Sequence, residues 1–554
     1  MPVIRLSTKR LFGLLGRKIE ETDLERLLMR VKGEVEGAGN GYIEVEINSD
    51  RLDMMISEGV ARTLKGLLGI EVGLPRYPYK SSGHRLEVKD VPQRPYIAMA
   101  IIRGIRSSDE FIEELIQFQE KLHMTIGRKR RKVAIGLHDL SKVPGRECMY
   151  RELEPTETFA PLGYSRSLKV EEILRVTEQG RLYGHISNRD GRVPGIVCGG
   201  EVISMPPVIN SELTRITNRT RDLLIDVTGT DLGYVLKTLE ILSTTIAEGT
   251  EDRAIERVSI HAPWGDLEAP VGEVRKMVLD VGWASSLIGL EGLGVESISR
   301  FLEEMRYGVK PLGREVEVYI PSYRIDVIEP VDLVEDIAVA IDLNKISPEP
   351  LQITLPGRLH HSSILRRVLR DIMTGLGFTE VYRHVLVPEQ LLRDLGFTDF
   401  LKIRNPVSSE MSAARPSIII SILITLSATH HSPKPIKIYE IGDIVVRDPT
   451  TYTGWRTGLS MAASILDYEV SFEDIQAPLF SMLRSLGLSP RTRSRRHPLF
   501  IDGRSAEIIV NGRIVGVVGE IRLEVLKKME IDFPVAAFEV DLKQLINTQS
   551  MVEL

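Results

Sequence analysis

The sequence lacks several features that mark particular protein classes, and each absence narrows what the chain can be. Only two of its 554 residues are cysteines, Cys148 and Cys198. Because they lie far apart in the sequence, we expect neither a disulfide framework nor a thiolate metal site. Charged residues interrupt every apolar run before it reaches membrane-spanning length, and the first residues lack the apolar core of a signal peptide. We therefore expect a cytoplasmic protein with no membrane partner.

Common nucleotide and metal motifs are missing as well. There is no Walker loop, no GxGxxG after a strand, no HExxH, no fixed-period repeat and no low-complexity tract. The 71 basic and 77 acidic side chains leave a net charge of −6, which argues against a general coat of positive charge for nucleic acid. Two local basic runs, 128–132 and 491–496, remain. Each is interpreted either as a grip for phosphate or as a solvated charged rim.

The length predicts three or four domains of about 150 residues each, and the composition is that of a folded protein rather than a disordered one. Clusters of proline, glycine and serine, together with shifts in pattern, place the boundaries. We predict a multidomain α+β chain divided at residues 1–83, 84–256, 257–350 and 351–554.

Local patterns predict several elements in these domains. Ser108 caps a helix that runs to His123, and residues 223–227 form a strand that turns into a helix after Asp231. Alternating apolar residues on both sides of Asn511-Gly512 predict a hairpin over residues 506–518.

Four carboxylates make the most distinctive pattern. Asp326 precedes a helix on which Asp332, Glu335 and Asp336 share one face, opposite the apolar residues. Carboxylates so placed repel one another unless a hard cation or a basic partner lies among them, and oxygen ligands suit Mg²⁺. The alternative is a capping role, since Asp332-x-x-Glu335 follows Pro330 at a helix start.

Several stretches together resemble one family along nearly the whole chain, and their order and spacing are more specific than any stretch alone. They are EVEINSDRLD at 44–53 with EGVAR at 58–62, KVAIGLHD at 132–139, SMPPVINSEL at 204–213 with DVTGTD at 226–231, YRID at 323–326 with DLVED at 332–336, and NPVSS at 405–409 with YEIGD at 439–443. The chain resembles the β subunit of phenylalanyl-tRNA synthetase, of the archaeal and eukaryotic type.

The resemblance implies an obligate partner. In that family the α subunit carries the aminoacylation site, with ATP as a substrate, and two α and two β chains assemble with the tRNA for phenylalanine. The family binds Mg²⁺ near the α subunit at the pattern matched by Asp326, Asp332, Glu335 and Asp336. Residues 257–350 resemble its small helical, winged-helix-like domain that carries this metal helix, and residues 1–83 its small N-terminal α+β domain.

The fourth domain resembles an antiparallel class II synthetase core that has lost its chemistry. Such cores hold ATP with an arginine two residues before a glutamate, whereas here Ile438 precedes Glu440. Without cations for the phosphates, the resemblance implies a scaffold rather than an adenylate-forming site.

The second domain resembles the mixed α/β editing domain of the family, which hydrolyses tyrosine wrongly esterified to phenylalanine tRNA. Asp226 is the foremost candidate, as an acceptor for the tyrosine ammonium or phenol. Thr228 and Gly229 follow it towards a helix start, where backbone amides suit an ester carbonyl or the terminal ribose. The other candidates are polar residues that alternatively serve as turn or cap residues: His138, Ser204, Asn210, Ser211 and Glu212. No nucleophile is evident, so the resemblance implies attack by water. The alternatives are a purely structural subunit whose editing pocket has decayed, and a free-standing tRNA-binding or editing protein, which the core and the acidic helix disfavour.

Overall fold

The computed structural model describes residues 2–290, 292–351, 355–429 and 431–548. The chain divides into two compact units, Met1–Pro350 and Leu351–Leu554. The division falls where the sequence predicts its last domain boundary. Within the described ranges, no helix is both long enough and apolar enough to cross a membrane.

The first unit begins with a small three-stranded antiparallel sheet, in the order β1-β3-β2, covered by helices. Its elements are β1 (Val3–Ser7), α1 (Thr8–Leu15), α2 (Glu21–Arg30), β2 (Gly33–Gly39), β3 (Tyr42–Ile47) and α3 (Ser57–Leu67). Alternation along β3 buries Ile43, Val45 and Ile47 against the helices, as period-2 patterning requires.

A ten-stranded mixed sheet forms the centre of this unit, in the order β12-β11-β10-β7-β4-β14-β5-β13-β6, with β15 paired to β14. Its strands are β4 (Tyr79–Val88), β5 (Tyr96–Ile102), β6 (Val133–Asp139), β7 (Glu147–Leu153), β10 (Val193–Cys198), β11 (Glu201–Met205), β12 (Ile209–Asn210), β13 (Leu223–Gly229), β14 (Ile255–Ala262) and β15 (Gly265–Ala269). The short pair β8 (Thr158–Phe159) and β9 (Leu168–Lys169) lies apart from it, and the helices are α4 (Asp109–Met124), α5 (Val170–Val176), α6 (Glu178–Tyr183) and α7 (Leu232–Ala247).

Two of the predicted boundaries fall inside strands of this sheet. The break after residue 83 cuts β4, and the break after residue 256 cuts β14. The two strands pair in parallel, with Ile255 opposite Tyr79. This pairing joins segments about 175 residues apart, which is why no local composition signal reveals it.

The expectation that the two cysteines stay unpaired is wrong. Cys148 and Cys198 form a disulfide, with their Cα atoms 4.1 Å apart. The reason is the register of the sheet, because β7 and β10 are antiparallel neighbours in which these two residues are direct partners. Distance along the sequence is therefore no guide to their distance in the fold.

A second small antiparallel sheet, in the order β16-β18-β17, completes the unit. Its elements are β16 (Arg275–Asp280), α8 (Val281–Ile288), α9 (Val295–Glu304), β17 (Gly308–Leu312), β18 (Glu315–Ile320) and α10 (Pro330–Ile341). One continuous apolar core runs through all three sheets, from Ile4 to Ala340. A smaller, separate cluster that includes Leu153, Phe159, Val170 and Met205 lies around the β8–β9 pair.

The second unit has a seven-stranded sheet in the order β19-β22-β23-β27-β26-β25-β24, antiparallel except for β19 beside β22. Its elements are α11 (His361–Gly375), β19 (Thr379–Glu380), β20 (Leu386–Val387), α12 (Glu389–Asp394), β21 (Ala413–Ala414), α13 (Ile418–Thr429), β22 (Ile436–Arg447), β23 (Trp455–Leu466), α14 (Phe472–Ser485), β24 (Pro490–Ser494), β25 (Phe500–Val510), β26 (Arg513–Ile521), α15 (Leu523–Lys528), β27 (Val535–Asp541) and α16 (Leu542–Thr548). Two buried apolar clusters pack against this sheet.

The local predictions are confirmed. The Ser108 hydroxyl caps α4 by accepting from the Phe111 amide at 3.2 Å. The hairpin of β25 and β26 turns at Asn511 and Gly512, whose φ angles are both positive, as a two-residue turn of this kind requires. The mixed α and β multidomain class is likewise what the structure shows.

Candidate functional site

A cavity of about 470 Å³ lies between α4, β6, β13 and the segment 204–216. Its volume is in the range of small-molecule sites in proteins. Apolar side chains make much of the wall, among them Ile112, Leu115, Ile116, Ile135, Leu137, Leu162, Val208, Ile209 and Ile216. The polar residues in the wall are Gln119, Glu120, Arg130, Gln179, Ser204, Asn210, Ser211, Thr214, Arg215 and Asp226. The cavity thus combines apolar walls with a few polar groups.

Asp226 is one of the most deeply buried of these polar groups. It lies in the middle of β13 opposite Gly136 of β6, and the residue is 1% exposed. His138 is two residues along β6 on the same face, a diagonal neighbour in the sheet. Its Nε2 lies 2.8 Å from Asp226 Oδ2, and its Nδ1 lies 2.7 Å from the hydroxyl of Thr214. Gly136 leaves space for this pair, because a Cβ there would lie 1.8 Å from Asp226 Oδ2.

The proton positions in this chain follow from donor and acceptor capacity. An ionised carboxylate only accepts, so His138 Nε2 donates to Asp226, and a second hydrogen bond joins Nδ1 to the Thr214 hydroxyl. The imidazole is thus fixed at both nitrogens. Among the described residues, none donates to the second oxygen of Asp226, Oδ1. A carboxylate oxygen is therefore left for a ligand in the cavity.

Ser204 and Asn210 form a second polar pair in the wall. The Ser204 hydroxyl donates to Asn210 Oδ1 at 2.9 Å, and Asn210 Nδ2 donates to the carbonyl of Leu137 at 3.2 Å. Ser211 also lines the cavity, but its hydroxyl donates to the carbonyl of Ala160 at 3.2 Å. The cavity is thus lined by four of the predicted residues, Ser204, Asn210, Ser211 and Asp226. A fifth, His138, holds Asp226 by a hydrogen bond.

The other three predicted residues lie elsewhere. Glu212 accepts from the Gly163 amide at 2.7 Å and pairs with Arg215. Thr228 accepts from Arg94 with both its hydroxyl and its carbonyl oxygen, at 2.8 and 2.7 Å. Gly229 packs against the carbonyl of Lys132, which a Cβ would approach to 2.6 Å. The alternation along β13 does put Thr228 on the face of Asp226, but the buried Arg94 guanidinium takes up its hydrogen-bonding capacity.

Sequence reasoning missed the contribution of α4. Ile112, Leu115, Ile116, Gln119 and Glu120 all line the cavity, at helical positions i, i+3, i+4, i+7 and i+8. This spacing is the signal that identifies the face. Three of the five residues are apolar, however, so the same spacing also fits the buried face of an ordinary amphipathic helix.

Glu120 links α4 to the basic run. Its Oε1 accepts from Arg130 Nη2 at 2.7 Å and lies 3.0 Å from His123 Nδ1. Burial by itself raises the pKa of Glu120, but the hydrogen bonds and charges of His123 and Arg130 outweigh it and lower that pKa to about 2. Glu120 is therefore a fixed anion that holds Arg130 at the cavity wall.

The four carboxylates of the predicted metal site line one small cavity of about 110 Å³, and three basic residues of the chain itself, Lys32, Arg51 and Arg324, line it as well. Arg324 Nη2 lies 2.8 Å from Asp326 and 2.6 Å from Asp336, and Lys32 Nζ lies 2.6 Å from Glu335. Asp332 caps α10 by accepting from the amides of Ile328 and Glu329.

This donor set does not fit a divalent ion as it is arranged. In the part of the chain that the structure describes, the only group of three carboxylates whose oxygens gather within 4.8 Å is Glu34, Glu36 and Glu46, at the surface of the first small sheet. Lys32 and Arg324 pair with three of the four carboxylates instead, which is the arrangement expected when carboxylates of like charge have basic partners at hand.

In the second unit, Glu440 of β22 is fully buried. Arg415 Nη2 lies 2.7 Å from it, and the same guanidinium donates to the Ser421 hydroxyl and to the Asp443 carbonyl. This arginine is completely buried and held within the protein core. The charges of Arg415 and Glu440 thus compensate each other inside the protein.

Comparisons with known proteins agree with one another. Residues 348–542 match the model of the phenylalanyl tRNA synthetase beta chain CLM domain, and residues 277–342 match the tRNA synthetase B5 domain. The chain is 41% identical over 546 residues to a phenylalanine–tRNA ligase beta subunit of Sulfurisphaera tokodaii, covering 98% of this chain and 99% of the relative. A relative of the same name from Aeropyrum pernix is 41% identical over 555 residues, with the same coverage. A crystal structure of an N-terminal fragment of the phenylalanyl-tRNA synthetase beta subunit of Pyrococcus horikoshii covers 61% of this chain and 99% of the fragment, with 35% identity and a TM-score of 0.59.

Proposed function

Because the chain belongs to the family of phenylalanine–tRNA ligase β subunits, we propose that it supports phenylalanine charging as the partner of an α subunit and that its own cavity hydrolyses mischarged tyrosyl-tRNA. The observation that carries the second part is the Asp226–His138–Thr214 chain at the wall of an apolar cavity.

Such a cavity is needed because a binding pocket for phenylalanine discriminates only weakly against tyrosine. A pocket shaped for an apolar side chain cannot strongly reject an isostere that only adds a hydroxyl, and the discrimination reaches about a hundredfold. A second site that hydrogen-bonds the extra hydroxyl binds tyrosine in preference to phenylalanine. Phenylalanine in that site would leave buried polar groups unpaired, at a cost of about 1–3 kcal/mol for each.

The cavity supplies groups of the required kinds. The apolar residues of α4 and β6 accommodate a ring, and Asp226 Oδ1 accepts from the phenol or the ammonium of tyrosine. His138 and Thr214 keep the carboxylate in place, so its position does not depend on the ligand. No protein nucleophile is part of the proposal. Water attacks the ester, and the polar groups at Ser204 and Asn210 orient the substrate.

The second unit acts as a scaffold in this proposal. Ile438 stands where an ATP-binding arginine would be expected from the class II pattern, and Arg415 is engaged by Glu440 in the core. Acylation with ATP then takes place on the α subunit, in an assembly of two α and two β chains with the tRNA for phenylalanine. Lys32 and Arg324 already pair with three of the four carboxylates of the acidic cluster, and no step of the proposed function is routed through Mg²⁺ bound there.

The test is release of tyrosine from preformed tyrosyl-tRNA for phenylalanine, by this chain alone and with the α subunit. Phenylalanyl-tRNA is the substrate control. Asp226→Asn keeps the shape of the side chain but removes its charge, and we expect release to fall at least a hundredfold. Asp231→Asn is the matched control, because Asp231 caps α7 and asparagine caps equally well.

The outcomes separate the two functions. Release that persists in Asp226→Asn would place the editing chemistry elsewhere. No release by the wild-type chain in either state, with acylation still dependent on it, would leave a purely structural subunit.

A further inference from the structure

A basic turn lies at the rim of the cavity, formed by residues 128–131 between α4 and β6. Arg128, Lys129 and Arg130 have φ angles of 47°, 57° and 64°, so three successive non-glycine residues are left-handed. L-residues adopt this conformation at a steric cost, and such segments persist only where the surrounding structure holds them. Here the Lys129 amide donates to the carbonyl of His123 at 2.8 Å, and the Lys132 amide to that of Gly127 at 2.9 Å.

Arg130 fastens the turn to the cavity. Besides its bond to Glu120, its guanidinium donates to the carbonyls of Pro207 and Val208 at 3.1 and 3.2 Å. It also stacks over the ring of Tyr183, 4.3 Å from the centroid. Pro207, Val208 and Arg130 all belong to the cavity wall, so the turn has a fixed position relative to the cavity.

The other three cations of the turn are free for a ligand. Arg128, Lys129 and Arg131 are exposed, and in the described ranges none of them has an acidic partner within 4 Å. Each is one or two residues from Arg130, and successive Cα atoms are about 3.8 Å apart. Three unpaired positive charges are therefore concentrated beside the cavity, on a chain whose net charge is −6.

The second basic run provides a contrast within the same chain. Arg493 and Arg495 both pair with Glu507, and Arg496 lies 3.5 Å from Asp502. Three of the four arginines in that run thus have carboxylate partners. The sequence treats the two runs alike, and the structure distinguishes them.

We propose that Arg128, Lys129 and Arg131 bind backbone phosphates of the aminoacylated RNA and so direct its esterified end into the cavity. The inference rests on the proposed editing function for its substrate. Phosphate contacts position a nucleic acid without reading its sequence, which suits a turn beside a site whose selectivity lies in the cavity. The hydrogen-bonded turn fixes the backbone positions from which the three side chains extend before the RNA arrives.

The test uses the full chain with Arg128→Gln, Lys129→Gln and Arg131→Gln combined. Arg493→Gln, Arg495→Gln and Arg496→Gln combined form the matched control with the same change in charge, because these three arginines are paired with carboxylates. Binding of uncharged tRNA is measured from low to high salt. The slope of log K against log salt should be less steep by about 2 in the turn variant than in the wild type. Each phosphate contact on a single strand contributes roughly 0.7 to this slope, and the variant loses three contacts. The control should keep the wild-type slope.

Hydrolysis gives a second readout. With tyrosyl-tRNA the turn variant should show a KM raised at least tenfold at low salt and an unchanged kcat, whereas hydrolysis of tyrosine ethyl ester, which has no phosphate, should not change. Equal slopes for wild type and turn variant would show that the run is only a solvated rim and overturn the inference. If the wild-type chain hydrolyses neither substrate, the editing proposal fails, and the slope of tRNA binding still decides whether the turn binds RNA.

Discussion

Two buried carboxylates of the first unit share a single arginine, and this arrangement predicts a measurable dependence of stability on pH. Arg10 Nη1 lies 2.6 Å from Glu114, and Nη2 pairs with Glu58. Glu114 also accepts from the amides of Ser7 and Ser57, at 2.8 and 3.1 Å. Within the described structure, Oε2 of Glu58 is buried without a hydrogen-bond partner. The cluster therefore carries one uncompensated negative charge.

The excess negative charge disfavours the ionised form of Glu58 more than that of Glu114, because fewer N–H groups donate to Glu58. Burial, aided by the charge of Glu114 and opposed by Arg10, raises the pKa of Glu58 from 4.5 to about 7. A pKa that is higher in the folded state favours the protonated form there. The stabilising contribution is thus complete below about pH 4.5 and is lost as the pH rises to about 7. At about 1.4 kcal/mol for each pH unit, the loss amounts to about 3 kcal/mol as an upper value.

Glu58→Gln removes this titration and leaves the cluster neutral. We expect the variant to match the wild type near pH 5 and to exceed its free energy of unfolding by up to about 3 kcal/mol at pH 8. Urea denaturation at both pH values measures the difference. Trp264 and Trp283 report on the first unit once Trp455, the single tryptophan of the second, is replaced by phenylalanine.

Glu114→Gln is the matched control, with the opposite expectation. Both oxygens of Glu114 accept from N–H groups, so an amide nitrogen in place of one oxygen would face a donor. That variant should lose stability at both pH values, by about 1–3 kcal/mol. A Glu58→Gln variant that is less stable at pH 8, or whose difference from wild type is the same at pH 5 and pH 8, would refute the reasoning.

Three further predictions follow from single contacts. Gly136→Ala introduces a Cβ 1.8 Å from Asp226 Oδ2, so tyrosine release should fall at least as far as in Asp226→Asn, and an unaltered far-ultraviolet spectrum would check the fold. Lys32→Ala frees Glu335 of its cation, and calorimetric titration of the isolated chain should show tighter binding of Mg²⁺ to the variant than to the wild type; equal affinity would mean that Lys32 does not compete. Arg415→Met leaves a buried glutamate unpaired in the second unit, which should cost about 3–5 kcal/mol in urea denaturation followed by Trp455 fluorescence, and a loss under 1 kcal/mol would contradict the importance of the pair.

The sequence predicts those parts of the fold that depend on neighbouring residues. The hairpin at Asn511-Gly512 and the helix capped by Ser108 are set by local dihedral preferences and local hydrogen bonds, which one segment contains in full. The parallel pair of β4 and β14 and the disulfide depend on which distant strands become neighbours. No pattern within either segment encodes that choice, so the boundaries at 83 and 256 were misplaced.

The residues of the candidate site likewise differ in how far the local sequence reveals them. The motif resemblance identified Asp226 and Ser204, because each lies in a stretch with a distinctive residue order. Thr214 was missed, since a threonine in a loop has no pattern that reveals its bond to a buried imidazole. The cations of the acidic cluster were also missed, because Lys32 is about 300 positions from Glu335, the residue of the helix with which it pairs.

The positions of the cavity groups and of the basic turn make a last prediction possible. Asp226 is fixed within a central strand, whereas Arg128, Lys129 and Arg131 are exposed on a turn and have no contact with it. Substitutions that share no partner usually add in free energy. Combining Asp226→Asn with the triple glutamine variant should therefore multiply their separate effects on kcat/KM for tyrosyl-tRNA, within about twofold. A combined loss of kcat/KM no larger than that of Asp226→Asn alone would contradict this independence. The basic turn would then increase kcat/KM only when the Asp226 carboxylate is present, so RNA docking and the cavity chemistry would be coupled.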